Sequence, residues 1–384
     1  MQNKTFLIVS HGVYHAPYLA TELKKRGGLF AVISDRKKAC PKGCRENLKL
    51  SYAALIFTVF RAFTPKRFNV VRRVFGIVSK ILFDIDVSIR IIFYNKVMKN
   101  DFDVICWDGS CKLLTSISQK LGIVTHLNRG SIHPEAQIEQ MQKSEFTHSY
   151  IDKKLLAYMI KRQAYEFFNA TNIIVPSPHI TKTFPESLQH KIKVENYGID
   201  RVNFPRRVTY NVDIRILKIV YAGGLTVAKG STLLLGVLEN LRREGYKFQF
   251  IHCGIVAEDL KQTIGSLDQN IYEFKGHLSP SELHANYIKS DIFVHPSYHE
   301  GQSLTVLQAI ATGLPVVVSN MTGASHIVDE FDIGASFEAG DVNGLSKLIK
   351  DSFKKENLIK WNNNIIELPS TKLTWSQHTD LFYS

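Results

Sequence analysis

The chain has few of the features that mark secreted, disulfide-bonded or repetitive proteins. Its five cysteines are an odd and scattered set, and no signal peptide or low-complexity tract stands among its 384 residues. We therefore expect a reducing, cytoplasmic environment. Cys40 and Cys44 are closely spaced, but no clear second ligand pair accompanies them. A surface turn is accordingly expected there in place of a metal or redox site.

Acidic residues are scarce in one segment, residues 46–100. It holds ten Lys or Arg against three acids, a net charge of +7 out of +13 for the whole chain. The segment is also rich in Phe, yet no uncharged apolar run approaches the roughly 18 to 20 residues needed to cross a bilayer. Two interpretations remain open. It is either a basic amphipathic segment that lies on an anionic membrane, or a pair of ordinary helices with apolar faces in the core and solvated charges.

What the chain does have is material for two α/β domains. Its length and its 45% of hydrophobic residues suffice for two cores. Net charge and a pI near 9.3 favour an acidic partner such as a nucleotide or a phospholipid surface. Nucleic acid is disfavoured because no recognised binding motif accompanies the charge. Short apolar runs alternate with turns and helix-length segments, which predicts strands at 6–10, 30–34, 102–107, 123–127, 173–177, 217–222, 248–253, 272–278, 292–294 and 315–319.

Residues 291–320 give the clearest local pattern, which predicts strand, loop, helix and strand. Ser303 can cap a helix with apolar residues at helical spacing, and Gly313 ends it. In such a unit ligands bind beyond the carboxyl ends of the strands, at the helix N-terminus. There Gly301 lets the backbone approach a phosphate, and Glu300 suits a neutral, hydroxyl-rich group. A diphosphate that carries a sugar would use both, although a solvated Glu on an ordinary loop fits the spacing equally.

The run HEGQSLTVLQAIATGLPVV, residues 299–317, resembles the nucleotide-sugar site of the retaining GT-B glycosyltransferases of family four, the group 1 type. That family has Glu-Gly, a second Glu eight positions after the first, and Gly-x-Pro-Val. Glu300 matches the acid that holds hydroxyls of the donor sugar. Gln308 stands where the second acid accepts hydrogen bonds from the ribose, and a neutral acceptor is typically weaker. The donor-binding residues implied here are Gly301, Gln302, Ser303, Leu304, Thr305 and Gln308.

A second stretch suits a diphosphate. Gly223 and Gly224 follow a predicted strand and allow close backbone approach, and Lys229 places a cation at a helix start. Many Gly-Gly turns are only turns, but the spacing resembles the family's phosphate loop, and Lys229 matches its lysine. Gly224 replaces an Arg found in many members, so Lys229 is expected to carry most of the charge stabilisation. By the same resemblance, Gly276 and His277 lie where the nucleotide base is received.

Two loops of the first half are candidates by analogy. In the family the first loop faces the acceptor, and the run after residue 128 resembles an Arg-Gly-Ser-x-His pattern at the domain cleft in one branch. An Arg can neutralise phosphate and a His can hydrogen-bond a sugar. Each side chain alone would more often be structural, and for His15 a structural role at a helix start remains equally open. The residues implied are His11, Gly12, His15, Arg129, Ser131 and His133.

The resemblance implies a fold and a domain organisation. The fold is α/β, of the GT-B type, with two Rossmann-like domains that face a cleft and a C-terminal crossover helix. The implied acceptor-side domain is 1–205 and includes the basic insertion 46–100. The nucleotide-sugar domain is 213–365, and residues 366–384 return to the first domain as a helix.

The implied function is that of a retaining hexosyltransferase in polysaccharide or glycoconjugate synthesis. It would move a sugar from a nucleotide sugar to a hydroxyl of a lipid-linked saccharide, with Glu300, Lys229 and His133 as catalytic residues. No metal-ligand constellation or Asp-x-Asp run stands beside the proposed phosphate sites. We therefore expect no metal and no cofactor, with Lys229, helix N-termini and backbone amides stabilising the leaving diphosphate.

The expected partners are the nucleotide-sugar donor and the saccharide acceptor, with an anionic membrane surface as a further candidate and no nucleic acid. The expected location is the cytoplasm or the inner face of the membrane. Gln308 and Gly224 depart from the family pattern. They leave open a catalytically degenerate GT-B scaffold subunit, and a GT-B nucleotide-sugar epimerase is a further alternative.

Overall fold

A computed structural model describes residues 4–143, 150–210, 215–369 and 371–384. By its contacts the chain divides into two compact units. The first comprises residues 1–176, 180–195 and 378–384, and the second comprises residues 177–179 and 196–377. Residues 196–205, which the sequence analysis assigned to the first domain, thus group with the second unit. There the Ile199 amide donates to the Leu373 carbonyl at 2.6 Å.

In the part of the chain that is described, the first unit is built on a seven-stranded parallel sheet in the order β3-β2-β1-β4-β5-β6-β7. Its strands are β1 (Phe6–Ser10), β2 (Leu29–Ser34), β3 (Leu48–Leu50), β4 (Asp103–Trp107), β5 (Thr125–Asn128), β6 (Asn172–Val175) and β7 (Ile192–Val194). Its helices are α1 (Ala16–Lys25), α2 (Tyr52–Phe63), α3 (Asn69–Ile92), α4 (Lys112–Leu121), α5 (Pro134–Lys143), α6 (Tyr150–Asn169), α7 (Pro178–Thr181), which extends from the second unit, and α8 (Glu186–Gln189).

The second unit has a six-stranded parallel sheet over the described residues, in the order β10-β9-β8-β11-β12-β13. Its strands are β8 (Leu217–Ala222), β9 (Phe248–Cys253), β10 (Tyr272–Phe274), β11 (Ile292–His295), β12 (Val316–Ser319) and β13 (Gly334–Phe337). Its helices are α9 (Ser231–Arg243), α10 (Lys261–Gly265), α11 (Pro280–Lys289), α12 (Leu304–Ala311), α13 (Ser325–Glu330), α14 (Val342–Asp351), α15 (Lys355–Glu367) and α16 (Trp375–Asp380), which extends into the first unit.

The central strands are buried on both faces, as their uninterrupted apolar sequences require. β1, β11 and β12 are buried at every residue, which is typical of parallel strands covered by helices on both sides. The predicted fold class is confirmed: two Rossmann-like domains, each with a parallel sheet. Three strands were not predicted: β3, which lies inside the basic segment, β7 and β13.

The strand order fixes where loops meet. In the second unit the chain proceeds outward in opposite directions from β8 and β11, which are neighbours. Such a reversal opens a crevice beyond the carboxyl ends of the two strands, and ligands of open α/β sheets bind there. The loops that follow β8 and β11 carry Lys229 and Glu300. The first unit has the same reversal between β1 and β4.

The close cysteine pair differs from its expected surface turn. Cys40 and Cys44 are buried, at 0% and 3% exposure, and the Cys40 thiol lies 2.9 Å from the Cys44 carbonyl oxygen. Burial raises the pKa of Cys40 to about 11. Only the intervening Lys42 and Gly43 are exposed. The expectation of a surface turn was therefore wrong for the thiols, because both point into the packing around α1.

Candidate functional site

The loop after β8 presents Lys229 at the sheet edge. Lys229 ends a 3-10 turn, Val227–Lys229, and Gly230 begins the entry into α9 with φ +70°. A Cβ at Gly230 would lie 2.0 Å from the carbonyl oxygen of Pro296, just beyond β11. Glycine at this position therefore lets the lysine loop pack directly against the strand that leads to Glu300.

Lys229 and Glu300 form an ion pair, with the lysine Nζ against Glu300 Oε2. Both side chains are partly open, at 31% and 23% exposure, so the pair is reachable from solvent. His295, the last residue of β11, places Nε2 3.6 Å from the same carboxylate oxygen. The three side chains form one cluster at the junction of β8 and β11.

The electrostatics keep Glu300 ionised. Burial by itself raises the pKa of this carboxyl, but His295 and the Lys229 ammonium outweigh burial and lower the pKa to about 2. An ionised carboxylate is a pure hydrogen-bond acceptor, so what it can bind is a donor such as a hydroxyl. This is the chemistry that the sequence assigned to Glu300.

His295 is the functional candidate that the sequence analysis missed. Its ring is 2% exposed, stacks on Tyr221 at a centroid distance of 5.6 Å, and has no hydrogen-bond partner at either nitrogen among the described residues. The Glu300 carboxylate, 3.6 Å from Nε2, is the charged group that faces this buried ring. The available signal was a histidine at the end of an otherwise apolar strand, five residues before the Glu-Gly pair.

The Glu300 loop is held by backbone bonds to the segment after β12. The Glu300 amide donates to Met321 O at 3.0 Å, and the Gly323 amide donates to Glu300 O at 3.0 Å. A Cβ on Gly323 would lie 1.4 Å from Gly301 O, so this approach requires glycine. Because both sides of the residue are fixed, the position of the Glu300 carboxylate is set by the fold.

The N-terminus of α12 follows this loop, as the sequence predicts. Ser303 is its N-cap residue, and the Ser303 hydroxyl contacts the Thr305 hydroxyl at 2.9 Å without capping the helix. Thr305 in turn donates to Ala222 O at 3.2 Å, which ties α12 to the end of β8. The first amides of an α-helix have no acceptor within the helix and favour anions. Leu304 starts α12 and contributes such an amide.

The side chains of Gln302 and Gln308 differ in whether they have a hydrogen-bonding group left for a ligand. The Gln302 side chain is 4% exposed, accepts from the Tyr197 amide at 2.5 Å and donates to Asn196 Oδ1 at 2.8 Å. A donor contact from Gln302 would therefore use its backbone. Gln308 Oε1, by contrast, is buried and accepts no hydrogen bond within the described residues. It is an unsatisfied acceptor on the same helical face as Leu304.

The loop after β8, which contains Gly223 and Gly224, is fixed by hydrogen bonds to its carbonyl oxygens. Gly223 has φ +134°, donates its amide to Cys253 O at 2.9 Å and accepts from His252 Nε2 at 3.0 Å. The Gly224 carbonyl accepts from the Tyr221 hydroxyl at 2.9 Å. Gly276 has φ +68° in the loop after β10, and His277 beside it is exposed. These residues lie at the carboxyl end of the same sheet.

In the first unit, His11 and Gly12 are engaged with a buried polar cluster. The Gly12 amide donates to Asp35 Oδ1 at 2.7 Å, and His11 Nε2 hydrogen-bonds Ser79 Oγ at 2.9 Å. Burial lowers the pKa of His11. Gly12 also lines a cavity of about 590 Å³ whose wall carries three consecutive cations. The lining residues are Gly12, Val13, Asp35, Arg36, Lys37, Lys38, Leu50 and Leu55.

His15 is a packing residue in this structure. It is 3% exposed, and its ring meets Trp107 edge to face at 4.9 Å and His378 at 5.6 Å. Burial, and then the neighbouring His378, lower its pKa well below the ordinary value. Of the two roles that the sequence left open for His15, the geometry favours the structural one at the start of α1.

Arg129 is turned inward. All three of its guanidinium nitrogens donate within the unit, to Asp108 at 2.6 Å, to the carbonyl groups of Ser131 and Ile132, and to Gln137. The residue is 6% exposed. Arg129 thus holds the 129–133 loop, and the ligand contact that the resemblance implied stays a prediction.

His133 also serves the loop. Its amide donates to Thr183 Oγ1 at 2.9 Å, its Nδ1 accepts from the Glu135 amide at 3.4 Å, and its ring lies 5.0 Å from Phe184. Burial lowers its pKa, so the ring is a neutral cap at the start of α5. Ser131 lies beside it, partly exposed. A catalytic role for His133 stays a prediction.

Comparison with known proteins bears on the second unit above all. Residues 213–367 match the family model of the glycosyl transferases of group 1. Sulfoquinovosyl transferase SQD2 of Arabidopsis thaliana is 30% identical over 183 residues, 44% of this chain and 35% of that protein. Protein CapJ of Staphylococcus aureus is 28% identical over 178 residues, 44% of this chain and 45% of that protein. The chain thus spans less than half the length of these curated relatives.

Solved structures match over the whole chain. The structure of WaaG, a glycosyltransferase involved in lipopolysaccharide biosynthesis, has a TM-score of 0.65 at 14% identity, covering 98% of each chain. Anabaena Alr3699/HepE in complex with UDP has a TM-score of 0.62 at 13% identity, covering 99% of this chain and 98% of that one. Identities this low show the fold alone. The resemblance to the group 1 glycosyltransferases is confirmed for residues 213–367, which match that family's model, and the chain has the GT-B fold.

Proposed function

We propose that the protein transfers a hexose-type sugar from a nucleoside diphosphate sugar to an acceptor hydroxyl, with retention at the anomeric carbon. The observation that carries the proposal is the ion pair of Lys229 and Glu300 at the junction of β8 and β11, beside the N-terminus of α12. A cation and helix amides suit a diphosphate, and a carboxylate suits sugar hydroxyls. One ligand class, the nucleotide sugar, brings both groups together.

The donor is held in three parts. Its diphosphate lies between the Lys229 ammonium and the first amides of α12, its sugar donates hydroxyl hydrogens to Glu300, and its ribose donates to Gln308 Oε1. The last contact would satisfy the buried acceptor that the described residues leave open. Gly223 and Gly224 allow the backbone to approach the phosphates closely.

Charge develops on the leaving phosphate as the bond to the anomeric carbon breaks. Preorganised donors at that oxygen lower the barrier because they need no reorganisation during the reaction. Lys229 and the α12 amides are such donors. The acceptor oxygen forms the new bond to the anomeric carbon, and its proton leaves with the nucleoside diphosphate. The proposal assigns no enzymic nucleophile, and Glu300 orients the sugar.

We propose that this chemistry proceeds without a metal ion. Across the described residues, no three His, Cys, Asp or Glu side chains are grouped so that they could hold one, and Lys229 is the cation at the phosphate site. Transfer assayed with EDTA and then with added Mg²⁺ or Mn²⁺ tests this point. A rate that EDTA leaves unchanged supports it, whereas abolition by EDTA with recovery on Mg²⁺ overturns it.

The proposed acceptor is a lipid-linked saccharide. Support comes from the first unit, where Arg36, Lys37 and Lys38 line the cavity beside Gly12, because a lipid-linked saccharide joined through phosphate presents an anion to such a wall. WaaG, whose fold the chain shares, is a glycosyltransferase involved in lipopolysaccharide biosynthesis. An enzyme with such an acceptor would work at the membrane surface.

A screen of nucleotide sugars tests the donor. Thermal unfolding is followed with UDP, GDP and ADP and with their sugar conjugates, and slow hydrolysis of each conjugate is measured without acceptor. Stabilisation by one nucleotide family and hydrolysis of its conjugate are expected. Turnover of the conjugate to its epimer without acceptor would indicate the epimerase alternative.

The scaffold alternative rests on Gln308 and Gly224, the two departures from the family pattern. It predicts no stabilisation by any nucleoside diphosphate and no hydrolysis. The Lys229 and Glu300 pair argues for a working donor site, because a scaffold has no need for two partly exposed opposite charges at a sheet switch point. The same screen therefore decides between the two.

A further inference from the structure

The segment between Glu46 and Asp84 has an unusual charge pattern. It contains no acidic residue, whereas it carries seven basic ones. Surfaces of ordinary domains intersperse both signs. The basic residues of this segment are Lys49, Arg61, Lys66, Arg67, Arg72, Arg73 and Lys80.

In the structure this segment forms a helical hairpin. α2 and the first half of α3 pack side by side, joined by a short connection that includes a 3-10 turn, Lys66–Phe68. The inner side of the hairpin contains hydrogen-bonded polar side chains. Ser79 Oγ donates to Ala54 O at 2.8 Å and lies 2.9 Å from Thr58 Oγ1, and Thr58 donates to Asp35 at 3.1 Å.

The outer side of the hairpin is apolar and exposed. On α2, Tyr52, Ile56, Phe60 and Phe63 have exposures of 67%, 53%, 53% and 83%. Their spacing of four, four and three residues places them on one face of the helix. Arg61 is the single charged residue in the sequence of α2. An amphipathic helix of a soluble core turns its apolar face inward, so this outward stripe indicates a binding surface.

The stripe continues across the connection and onto α3. Phe68, Val71 and Val74 are 48%, 42% and 40% exposed. The cations lie among these residues: the Arg67 guanidinium sits 5.0 Å from the Phe68 ring, and Arg72 donates to Thr64 O at 3.0 Å. Arginines with long apolar stems can keep their charge at a polar boundary while neighbouring side chains enter an apolar phase.

We propose that this hairpin, residues 52–74, docks on an anionic lipid bilayer, with its apolar stripe in the interfacial region and its arginines against lipid phosphates. An anionic bilayer offers an apolar interior for the stripe and negative charge for the arginines. A second copy of the chain is a poor alternative, since a symmetric contact would bring two acid-free basic faces together. No helix among the described residues is long and apolar enough to cross the bilayer, so the hairpin would bind at the surface. The inference concerns the first unit and does not depend on the donor site.

The test is sedimentation of the full chain with vesicles of phosphatidylcholine alone and of phosphatidylcholine mixed with phosphatidylglycerol. Ile56→Gln/Phe63→Gln removes part of the stripe, and Arg67→Glu/Arg73→Glu reverses part of the charge. The matched controls are Val202→Gln/Val208→Gln, at positions 90% and 99% exposed on the second unit, and Lys120→Glu/Arg243→Glu at exposed positions. Thermal unfolding of each variant verifies that it is folded.

We expect the wild type to bind the mixed vesicles and not the neutral ones, and each hairpin variant to lose about tenfold or more in partitioning. Both controls should bind like the wild type. Binding to neither vesicle, or wild-type binding by both hairpin variants, overturns the proposal. Self-association is measured by sedimentation velocity without lipid. If the hairpin variants lost self-association and the protein did not bind vesicles, the stripe would be a contact between copies of the chain, and the proposal would be overturned. Nucleotide-induced stabilisation, measured in parallel, reports on the donor site separately.

Discussion

Arg129 in the first unit and Lys229 in the second each lie in the loop that follows a parallel strand, β5 and β8 respectively, yet they do different things. Arg129 spends all three guanidinium nitrogens on its own unit and has a side chain 7% exposed. Lys229 is 31% exposed and leans on one carboxylate that is itself open to solvent. A cation in a motif either holds its own loop together or has donors left to bind a ligand. The number of hydrogen-bond acceptors around it determines which role it has.

The largest effect that would test this contrast is expected from Glu300→Gln. The neutral amide no longer balances Lys229 and accepts more weakly from sugar hydroxyls, so kcat should fall by about a hundredfold to a thousandfold. Steady-state kinetics with the donor found by the nucleotide screen measures the change. Glu338→Gln, at an exposed position outside the cluster, is the matched control and should keep wild-type kinetics. An unchanged rate for Glu300→Gln would remove Glu300 from the mechanism.

Arg129→Met should act on stability. It leaves the Asp108 carboxylate, which the arginine contacts at 2.6 Å, without its buried partner, and breaking such a pair costs about 3 kcal/mol of unfolding free energy. Urea denaturation measures the loss. Lys229→Met, which breaks a more exposed pair, should cost about 1 kcal/mol or less. If Arg129→Met unfolded like the wild type but lost donor or acceptor binding, the contrast between the two cations would be broken.

Lys229→Ala should act on catalysis. Loss of the cation at the diphosphate is expected to lower kcat/KM by roughly a hundredfold, and Lys229→Arg should recover part of it. Lys261→Ala, which removes an exposed lysine paired with Glu258, serves as the control and should behave like the wild type. Near wild-type kinetics for Lys229→Ala would refute its assignment as the phosphate cation.

The smallest effect is expected at the second position of the family pattern. Gln308→Glu converts the open acceptor into a charged one, which should tighten nucleoside diphosphate binding by about fivefold, the equivalent of about 1 kcal/mol. Gln308→Met, of similar size but without the acceptor, should weaken binding by a comparable factor. Isothermal titration measures both. Equal affinity for all three proteins would show that Gln308 does not contact the nucleotide.

The sequence predicted the parts of the molecule that local patterns determine. The strands around the two switch points are nearly all apolar. A parallel strand that is buried on both faces requires an almost continuous run of apolar residues, so it is easy to recognise in a sequence. Glycines at 223 and 230 mark positions with positive φ, so the loops between strand and helix were also predictable. The Glu300 loop and the N-terminus of α12 lie where the pattern placed them.

What the sequence did not reveal depends on neighbours distant in the chain. The inward turn of Arg129 follows from Asp108 on the adjacent strand end, and the buried position of His295 follows from its stacking on Tyr221, 74 positions earlier. α2 is apolar on nearly every side, so periodicity could not tell which face the fold would leave uncovered. The short strands β3, β7 and β13 were missed because three or four residues carry too little pattern to separate a strand from a loop.

The ion pair of Lys229 with Glu300 has a consequence for selectivity and turnover under the proposed function. Lys229 and Glu300 already neutralise each other's charge, so free phosphate or free sugar must separate them while compensating only one. A nucleotide sugar compensates both charges when it binds. The site therefore selects for ligands that carry both a phosphate and sugar hydroxyls. After the sugar has been transferred, Glu300 no longer has hydroxyl partners and pairs with Lys229 again. This weakens the contact between Lys229 and the nucleoside diphosphate product. The same ion pair thus favours the complete nucleotide sugar and promotes product release.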